Sequence, residues 1–241
     1  MDSLLKKLIY QVFADEFISY IDLSQLEPEK PLLQKNPLIK RKEQSMKNKK
    51  TLAPTDERLL ALFYDCLENL KYDLCDSANN LVFGEGNANA DIMVIGEAPG
   101  ADEDAQGRPF VGRAGQFFTQ TLNKFGVKRE EIYIANILKH RPPNNRNPLP
   151  PEIAVCTPYL EKQIEIVNPK LIITLGNFAT QFILSTNVGI TKLRGTLQES
   201  RFGKVFPTLH PSAIIRGAYP KSLFEDDIKA ALQHAGYQIS E

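Results

Sequence analysis

The chain has 241 residues, 42% of them apolar, and its 29 basic side chains balance 29 acidic ones to a formal net charge of zero. This length can bury one substantial core plus an appendage, and zero net charge argues weakly against a protein coated by nucleic acid. No run of about 18 apolar residues occurs, so we expect no membrane span. Polar residues interrupt any signal-peptide core and the three scattered cysteines fit a reducing compartment, so we expect a cytoplasmic protein.

The first 54 residues form a segment of their own. Residues 1–20 place apolar side chains at helical spacing and predict one amphipathic helix. Residues 27–54 carry four prolines and a basic stretch from Lys40 to Lys50, which is typical of a flexible linker. We therefore expect a tethered helix that either docks on the rest of the chain or binds a protein partner in a groove.

From Thr55 onward the pattern alternates between helices and strands. A first helix is expected to begin with Thr55 as its cap and to continue through Cys66. Strands are expected near residues 91–96, 131–136, 170–175 and 204–209, and further helices near residues 113–125, 151–167, 177–185 and 222–234. This alternation predicts an α/β fold for residues 55–241, a three-layer α/β/α domain with a central four-stranded parallel sheet, plus the N-terminal helical extension.

A charged, glycine-rich loop of residues 96–115 joins the first of these strands to the next helix. It contains five glycines and two prolines together with Glu97 and Glu103. The loop lacks the G-x-G-x-x-G spacing and the Lys-Ser/Thr ending of phosphate-binding loops, and its carboxylates would repel phosphate. We interpret it as the floor of a pocket that contains an acid.

Polar residues follow three of the predicted strands. Glu97 follows the first, Asn136 ends the second and His210 follows the fourth. In open parallel sheets, ligands bind at this carboxyl edge. Each residue alone also fits a structural role: Asn136 as a turn former, His210 as a polar residue beside a proline, Glu97 as the partner of a helix dipole. Together they place an acid, an amide and an imidazole at one cleft, which favours a functional site.

Four linked motifs resemble the family 4 type of uracil-DNA glycosylase. They are residues 96–100 (GEAPG), 107–112 (GRPFVG), 136–148 (NILKHRPPNNRNP) and 210–212 (HPS). The resemblance implies a DNA repair enzyme that flips uracil out of single- or double-stranded DNA, and we expect it to act as a monomer. It would then hydrolyse the N-glycosidic bond and leave an abasic site for base excision repair.

The resemblance also implies which residues hold uracil. Phe110 resembles the residue on which the base stacks, and the backbone near Gly96 would help to hold it. Asn136 has both a donor and an acceptor, so its amide can pair with O4 and N3–H of uracil. His210 resembles the histidine that donates a hydrogen bond to uracil O2, where negative charge grows as the bond breaks.

The resemblance also implies a catalytic carboxylate and contacts with DNA. We expect Glu97 beside the sugar or its attacking water, with Glu103 as the alternative. The segment after His210 resembles a loop that enters the duplex, so Ile214 or Ile215 would wedge into the gap; otherwise these isoleucines begin a buried helical turn. The expected DNA-binding residues are Ser212, Ile214, Arg216 and Arg113.

The chain departs from the family at its iron–sulfur cluster. Family members typically bind a four-iron, four-sulfur cluster through four cysteines, and the corresponding positions here hold Asn69, Tyr72, His140 and Cys156. Three of the four ligands are therefore missing, and Cys156 with His140 marks a vestigial cluster position. We expect no metal or cofactor, and instead packing among Tyr72, Leu74 and the helix that carries Cys156.

Three other functions are compatible with the fold. The first is a catalytically inactive DNA-binding or polymerase-associated module. The second is covalent trapping of uracil-containing DNA, which would need an inserted basic loop that is absent before His210, and the third is hydrolysis of free nucleotides. The presence of Glu97, Asn136 and His210 favours the active glycosylase.

Overall fold

The structure of the protein is a computed structural model that describes residues 51–239. The predicted N-terminal helix and residues 27–50 of the predicted linker lie outside the described residues. Within residues 51–239, none of the helices has the length and apolar character needed to cross a membrane.

A six-stranded mixed sheet forms the centre of the fold. Its strands are β1 (Glu85–Gly86), β2 (Ile92–Gly96), β3 (Tyr133–Asn136), β4 (Leu171–Leu175), β5 (Gln198–Ser200) and β6 (Gly203–Thr208), in the order β1-β3-β2-β4-β6-β5. The four predicted strands β3, β2, β4 and β6 are parallel neighbours, which confirms the parallel core. The antiparallel edge strands β1 and β5 are not predicted from the sequence, because two or three residues without an apolar run give no strand signal.

Nine α-helices and two short 3₁₀ turns, at Arg129–Glu131 and Pro143–Asn145, complete the described part of the chain. The helices are α1 (Glu57–Asn69), α2 (Leu74–Ser77), α3 (Ala101–Gln106), α4 (Arg113–Lys124), α5 (Pro150–Val167), α6 (Asn177–Leu184), α7 (Ile190–Leu193), α8 (Pro211–Ile215) and α9 (Lys221–His234). The predicted cap of α1 is wrong by one residue. Asp56 rather than Thr55 caps it, because the Asp56 carboxylate accepts hydrogen bonds from the N–H groups of Arg58 and Leu59.

Helices cover both faces of the sheet, as the three-layer prediction requires. Successive residues of β2 alternate between the faces: Met93 and Ile95 pack with α1, α5 and α6, whereas Ile92 and Val94 pack with α4, α8 and α9. Every residue of β2, β3 and β4 is buried. The carboxyl ends of the parallel strands therefore emerge between two helical layers, at one edge of a rigid sheet.

A buried ion pair fixes the strand that leads to His210. Asp227 on α9 is only 4% exposed, and it accepts a hydrogen bond of 2.7 Å from the hydroxyl of Thr208 at the end of β6. Arg194 binds both oxygens of the same carboxylate, at 2.6 and 3.0 Å, and donates to the carbonyl of Leu223. The pair thus holds α9 and the end of β6 together, two residues before His210.

Replacing Arg194 tests how much this pair stabilises the fold. Arg194→Met leaves the Asp227 carboxylate buried without its cation, so we expect the free energy of unfolding to decrease by about 3 kcal/mol. Urea denaturation followed by circular dichroism measures this change.

The matched control is Lys170→Met, which removes the exposed pair of Lys170 with Asp91. An exposed pair contributes at most about 1 kcal/mol, so this variant should unfold close to the wild-type midpoint. Equal losses in the two variants would contradict a structural role for the buried pair.

Candidate functional site

The site is built around Gly96, the last residue of β2. Gly96 and Asn136 are register partners at the carboxyl ends of the adjacent parallel strands β2 and β3. A Cβ placed on Gly96 would overlap Oδ1 of Asn136 and lie 2.5 Å from Cζ of Phe110. The absence of a side chain at residue 96 therefore lets an amide and an aromatic ring approach each other at the edge of the sheet.

Asn136 presents an unsatisfied acceptor in this cleft. The residue is 1% exposed, and its Oδ1 is buried with no hydrogen-bond partner among residues 51–239. Its backbone carbonyl accepts a 2.9 Å hydrogen bond from Nζ of Lys139, which also donates to Gln163 at 2.6 Å. A buried acceptor without a partner costs on the order of 1 to 3 kcal/mol, so Asn136 is suited to a ligand that brings a donor.

Phe110 is held in a strained backbone conformation. Its φ of +48° lies in the left-handed region that non-glycine residues rarely adopt. The guanidinium of Arg129 donates hydrogen bonds to the carbonyl oxygens of Pro109 and Phe110. It also forms an ion pair with the Glu85 carboxylate, in which nitrogen and oxygen are 2.7 Å apart. A Cβ on Gly115 would collide with the carbonyl of Phe110, so the start of α4 also packs directly against this turn. The surroundings thus impose one position on the ring.

Glu103 holds the loop by hydrogen bonds to its backbone. One carboxylate oxygen accepts from the N–H groups of Val111 and Gly112, at 2.9 and 2.8 Å, and the other accepts from the N–H group of Gly100 at 3.1 Å. Both oxygens are therefore engaged within the loop itself. This arrangement makes Glu103 a support for the loop and favours the other candidate acid.

Glu97, directly after Gly96, is the acid of the loop whose carboxylate is not engaged by the backbone of the loop. The residue is half-buried, and its carboxylate has no hydrogen-bond or ion-pair partner in the described part of the chain. Burial raises the pKa of Glu97 above its ordinary value. A carboxylate with a raised pKa is a stronger base, so Glu97 is suited to orient or deprotonate a water molecule.

The imidazole of His210 is neutral and has a defined tautomer. Its Nδ1 accepts a hydrogen bond from the backbone N–H of Ser212 at 3.1 Å and lies 2.7 Å from the Ser212 hydroxyl. The hydrogen of the neutral ring is therefore on Nε2. Burial, together with the positive charge of Arg216, lowers the pKa of His210 to about 4. The ring centroids of His210 and Phe110 are 5.9 Å apart, so an N–H donor lies beside the aromatic ring.

The predicted DNA-binding residues have different environments. Arg113 begins α4 and Arg216 follows α8, and both are exposed. Ser212 is half-buried and fixes His210. Ile214 is only 8% exposed and belongs to the apolar core, which matches the structural alternative for this residue; Ile215 is the more exposed of the two isoleucines.

The sequence pattern does not show that Arg129, Glu85 and Lys139 support the site. Arg129 and Glu85 are 44 positions apart, and Lys139 reads as an ordinary charged residue in a loop. Only the folded chain shows that Arg129 binds the backbone at Phe110 and that Lys139 is completely buried against Asn136. A charged residue gives no sequence signal of a partner this distant.

The chain is similar in sequence to known proteins. Residues 83–234 match the Uracil DNA glycosylase superfamily. The type-4 uracil-DNA glycosylase of Sulfurisphaera tokodaii is 41% identical over 182 residues, 68% of this chain and 83% of the relative. The type-4 enzymes of Thermotoga maritima and Archaeoglobus fulgidus are 50% identical over 139 residues and 42% over 167, covering 57% and 66% of this chain and 72% and 84% of the relatives. The matched segment contains every cleft residue described above.

The protonation state of His210 is directly measurable. With an imidazole pKa of about 4, the ring should stay neutral from pH 8 to pH 5, with its hydrogen on Nε2. Between pH 6.5 and pH 4 the unfolded chain takes up a proton that the folded chain does not, so stability should decrease as the pH falls through this window. Nitrogen-15 NMR of labelled histidine measures both the tautomer and the titration.

Arg216→Gln provides the control, because it removes the nearby positive charge and should move the titration of His210 upward toward 6.5. A wild-type titration midpoint near 6.5, or a hydrogen on Nδ1, would contradict the geometry at Ser212.

Proposed function

Because the chain belongs to the uracil-DNA glycosylase superfamily, we propose that this cleft removes uracil from DNA and leaves an abasic site. The observation that carries the proposal is the buried, unpartnered Oδ1 of Asn136 beside the ring of Phe110. The hydrogen-bond acceptor of Asn136 and the aromatic face of Phe110 lie next to each other in the cleft. Together they fit a planar base that has an N–H group on its edge. The target base reaches the floor only after it has left the DNA stack.

Base recognition follows from the amide of Asn136. Its Oδ1 accepts the N3–H of uracil, and its NH₂ group donates to O4. Cytosine presents the opposite pattern at these two positions, with a bare N3 and an amino group. A buried mismatch of this kind costs about 1 to 3 kcal/mol per group, so the pocket discriminates against cytosine by hydrogen bonding. Stacking on Phe110 adds about 1 to 3 kcal/mol without base selectivity.

Bond cleavage uses the neutral imidazole of His210. The C1′–N1 bond breaks with its electron pair moving onto uracil, and the negative charge is shared by N1 and the carbonyl oxygens. The Nε2–H of His210 donates to O2, and this hydrogen bond strengthens as the charge develops, which stabilises the transition state more than the bound substrate. A pKa of about 4 keeps the ring in the neutral donor form at physiological pH.

Glu97 acts on the sugar side of the reaction. The sugar gains oxocarbenium character as the bond breaks, and a carboxylate near C1′ stabilises this positive charge. Water then adds to C1′, its proton passes to Glu97, and the uracil anion is protonated from solvent. The two carboxylate oxygens of Glu103 already accept three backbone hydrogen bonds, so we assign the chemical role to Glu97 and the support of the loop to Glu103.

The DNA strand would lie along the exposed cations that flank the cleft. Arg216 follows the helix that begins next to His210, and Arg113 begins the helix after the glycine-rich loop. We expect both side chains to contact phosphate groups on either side of a flipped nucleotide. All pocket residues come from one copy of the chain, so the proposed reaction requires only a monomer. The substrate would be either single- or double-stranded DNA.

Cleavage of an end-labelled oligonucleotide with one uracil tests the function. After alkali treatment, the wild-type protein should cut at uracil and leave matched oligonucleotides with cytosine or thymine intact. Asn136→Asp replaces the donor to O4 with a second acceptor, so kcat/KM for uracil should decrease by at least about 100-fold.

Asn123→Asp is the control, because it makes the same chemical change at an exposed position of α4. It should cleave uracil at the wild-type rate. A wild-type protein that binds the oligonucleotide without cutting it would exclude the glycosylase and favour an inactive DNA-binding module.

A further inference from the structure

The residues at the four cluster-ligand positions of the family, Asn69, Tyr72, His140 and Cys156, do not fit an iron–sulfur cluster. Of the four corresponding residues, only Cys156 carries a thiol. Asn69 is exposed, and its side chain donates to Asp65 at 2.6 Å. A phenol hydroxyl and an imidazole at the other two positions replace the soft thiolates that such clusters require. No group of three His, Cys, Asp or Glu side chains within residues 51–239 is arranged to hold a metal ion.

The hydroxyl of Tyr72 lies between the side chains of His140 and Cys156. The thiol of Cys156 donates to the Tyr72 oxygen at 3.3 Å, and the Tyr72 oxygen lies 3.2 Å from Nδ1 of His140. These contacts form a continuous chain that runs from Cys156 through the Tyr72 hydroxyl to His140. The rings of Tyr72 and His140 also meet edge to face, with centroids 5.5 Å apart.

The two remaining cysteines take part in the same protein packing. Cys66 is 1% exposed and belongs to the apolar core, together with Leu70 and Leu74. The thiol of Cys75 donates to the carbonyl of Leu70 at 3.3 Å, and its sulfur lies 3.8 Å from Nδ1 of His140. The space between α1, α2 and α5 is therefore occupied by side chains that pack together and form hydrogen bonds within the protein.

We propose that the hydrogen-bonded triad of Tyr72, His140 and Cys156 replaces the iron–sulfur cluster as the connection between three segments of this chain. Tyr72 lies between α1 and α2, Cys156 lies on α5, and His140 lies in the loop that follows β3. The triad ties this loop to the helical layer at His140, which is four residues after Asn136 in the sequence. The proposal concerns folding and does not rest on the glycosylase function.

The first test measures metal in the wild-type chain. Protein purified under anaerobic conditions, and then incubated with ferrous iron and sulfide under reducing conditions, should contain far less than one iron per chain after desalting. It should also lack visible absorbance. Retention of about four irons per chain, with matching sulfide and colour, would overturn the proposal, since cluster assembly would then override the triad.

The second test removes one oxygen atom. Tyr72→Phe keeps the ring and deletes the hydroxyl that joins Cys156 to His140, so the thermal midpoint should fall by about 3 to 8 °C. The matched control is Tyr237→Phe, in which the ring packs against the other helical layer. Its midpoint should stay within about 2 °C of the wild type. Equal midpoints for the two variants would overturn the structural role of the triad, whatever the iron content.

Discussion

The close approach of Asn136 and Phe110 over Gly96 is the contact on which the site depends. Parallel pairing of β2 with β3 sets Gly96 beside Asn136, and the glycine-rich loop brings the ring of Phe110 to the same point. A side chain at residue 96 would occupy the space that both groups need. The cleft therefore lies at the edge of the sheet, and the absence of a Cβ at residue 96 leaves room for both groups.

The loop keeps this geometry through charged side chains that bind its own backbone. Glu103 accepts three backbone hydrogen bonds within the loop, while Arg129, paired with Glu85, donates to two consecutive carbonyls at Phe110. These bonds compensate for the left-handed backbone of Phe110, which costs on the order of 1 to 3 kcal/mol. Such a pre-formed site loses little entropy when a base enters.

Sequence patterns predicted the parallel core because β2, β3 and β4 are short apolar runs between helices, and the ends of the predicted strands placed Glu97, Asn136 and His210 at one edge. They did not predict β1 or β5, which lack apolar runs, or Asp56 as the helix cap, because Thr55 and Asp56 are both good caps. The backbone contacts of Glu103 also needed the structure, since two acids in one loop look equivalent until their hydrogen-bond partners are known. The positioning role of Arg129 depends on a contact across the fold.

The most direct test of this account is a single-turnover measurement of uracil removal by Gly96→Ala. The added methyl group must displace Asn136 or Phe110, and a displacement of about 1 Å costs roughly 100-fold in rate, so we expect at least that loss in a variant that still folds. Gly189→Ala adds the same methyl group in open space and should retain the wild-type rate. Wild-type uracil removal by Gly96→Ala would contradict the central role of this contact.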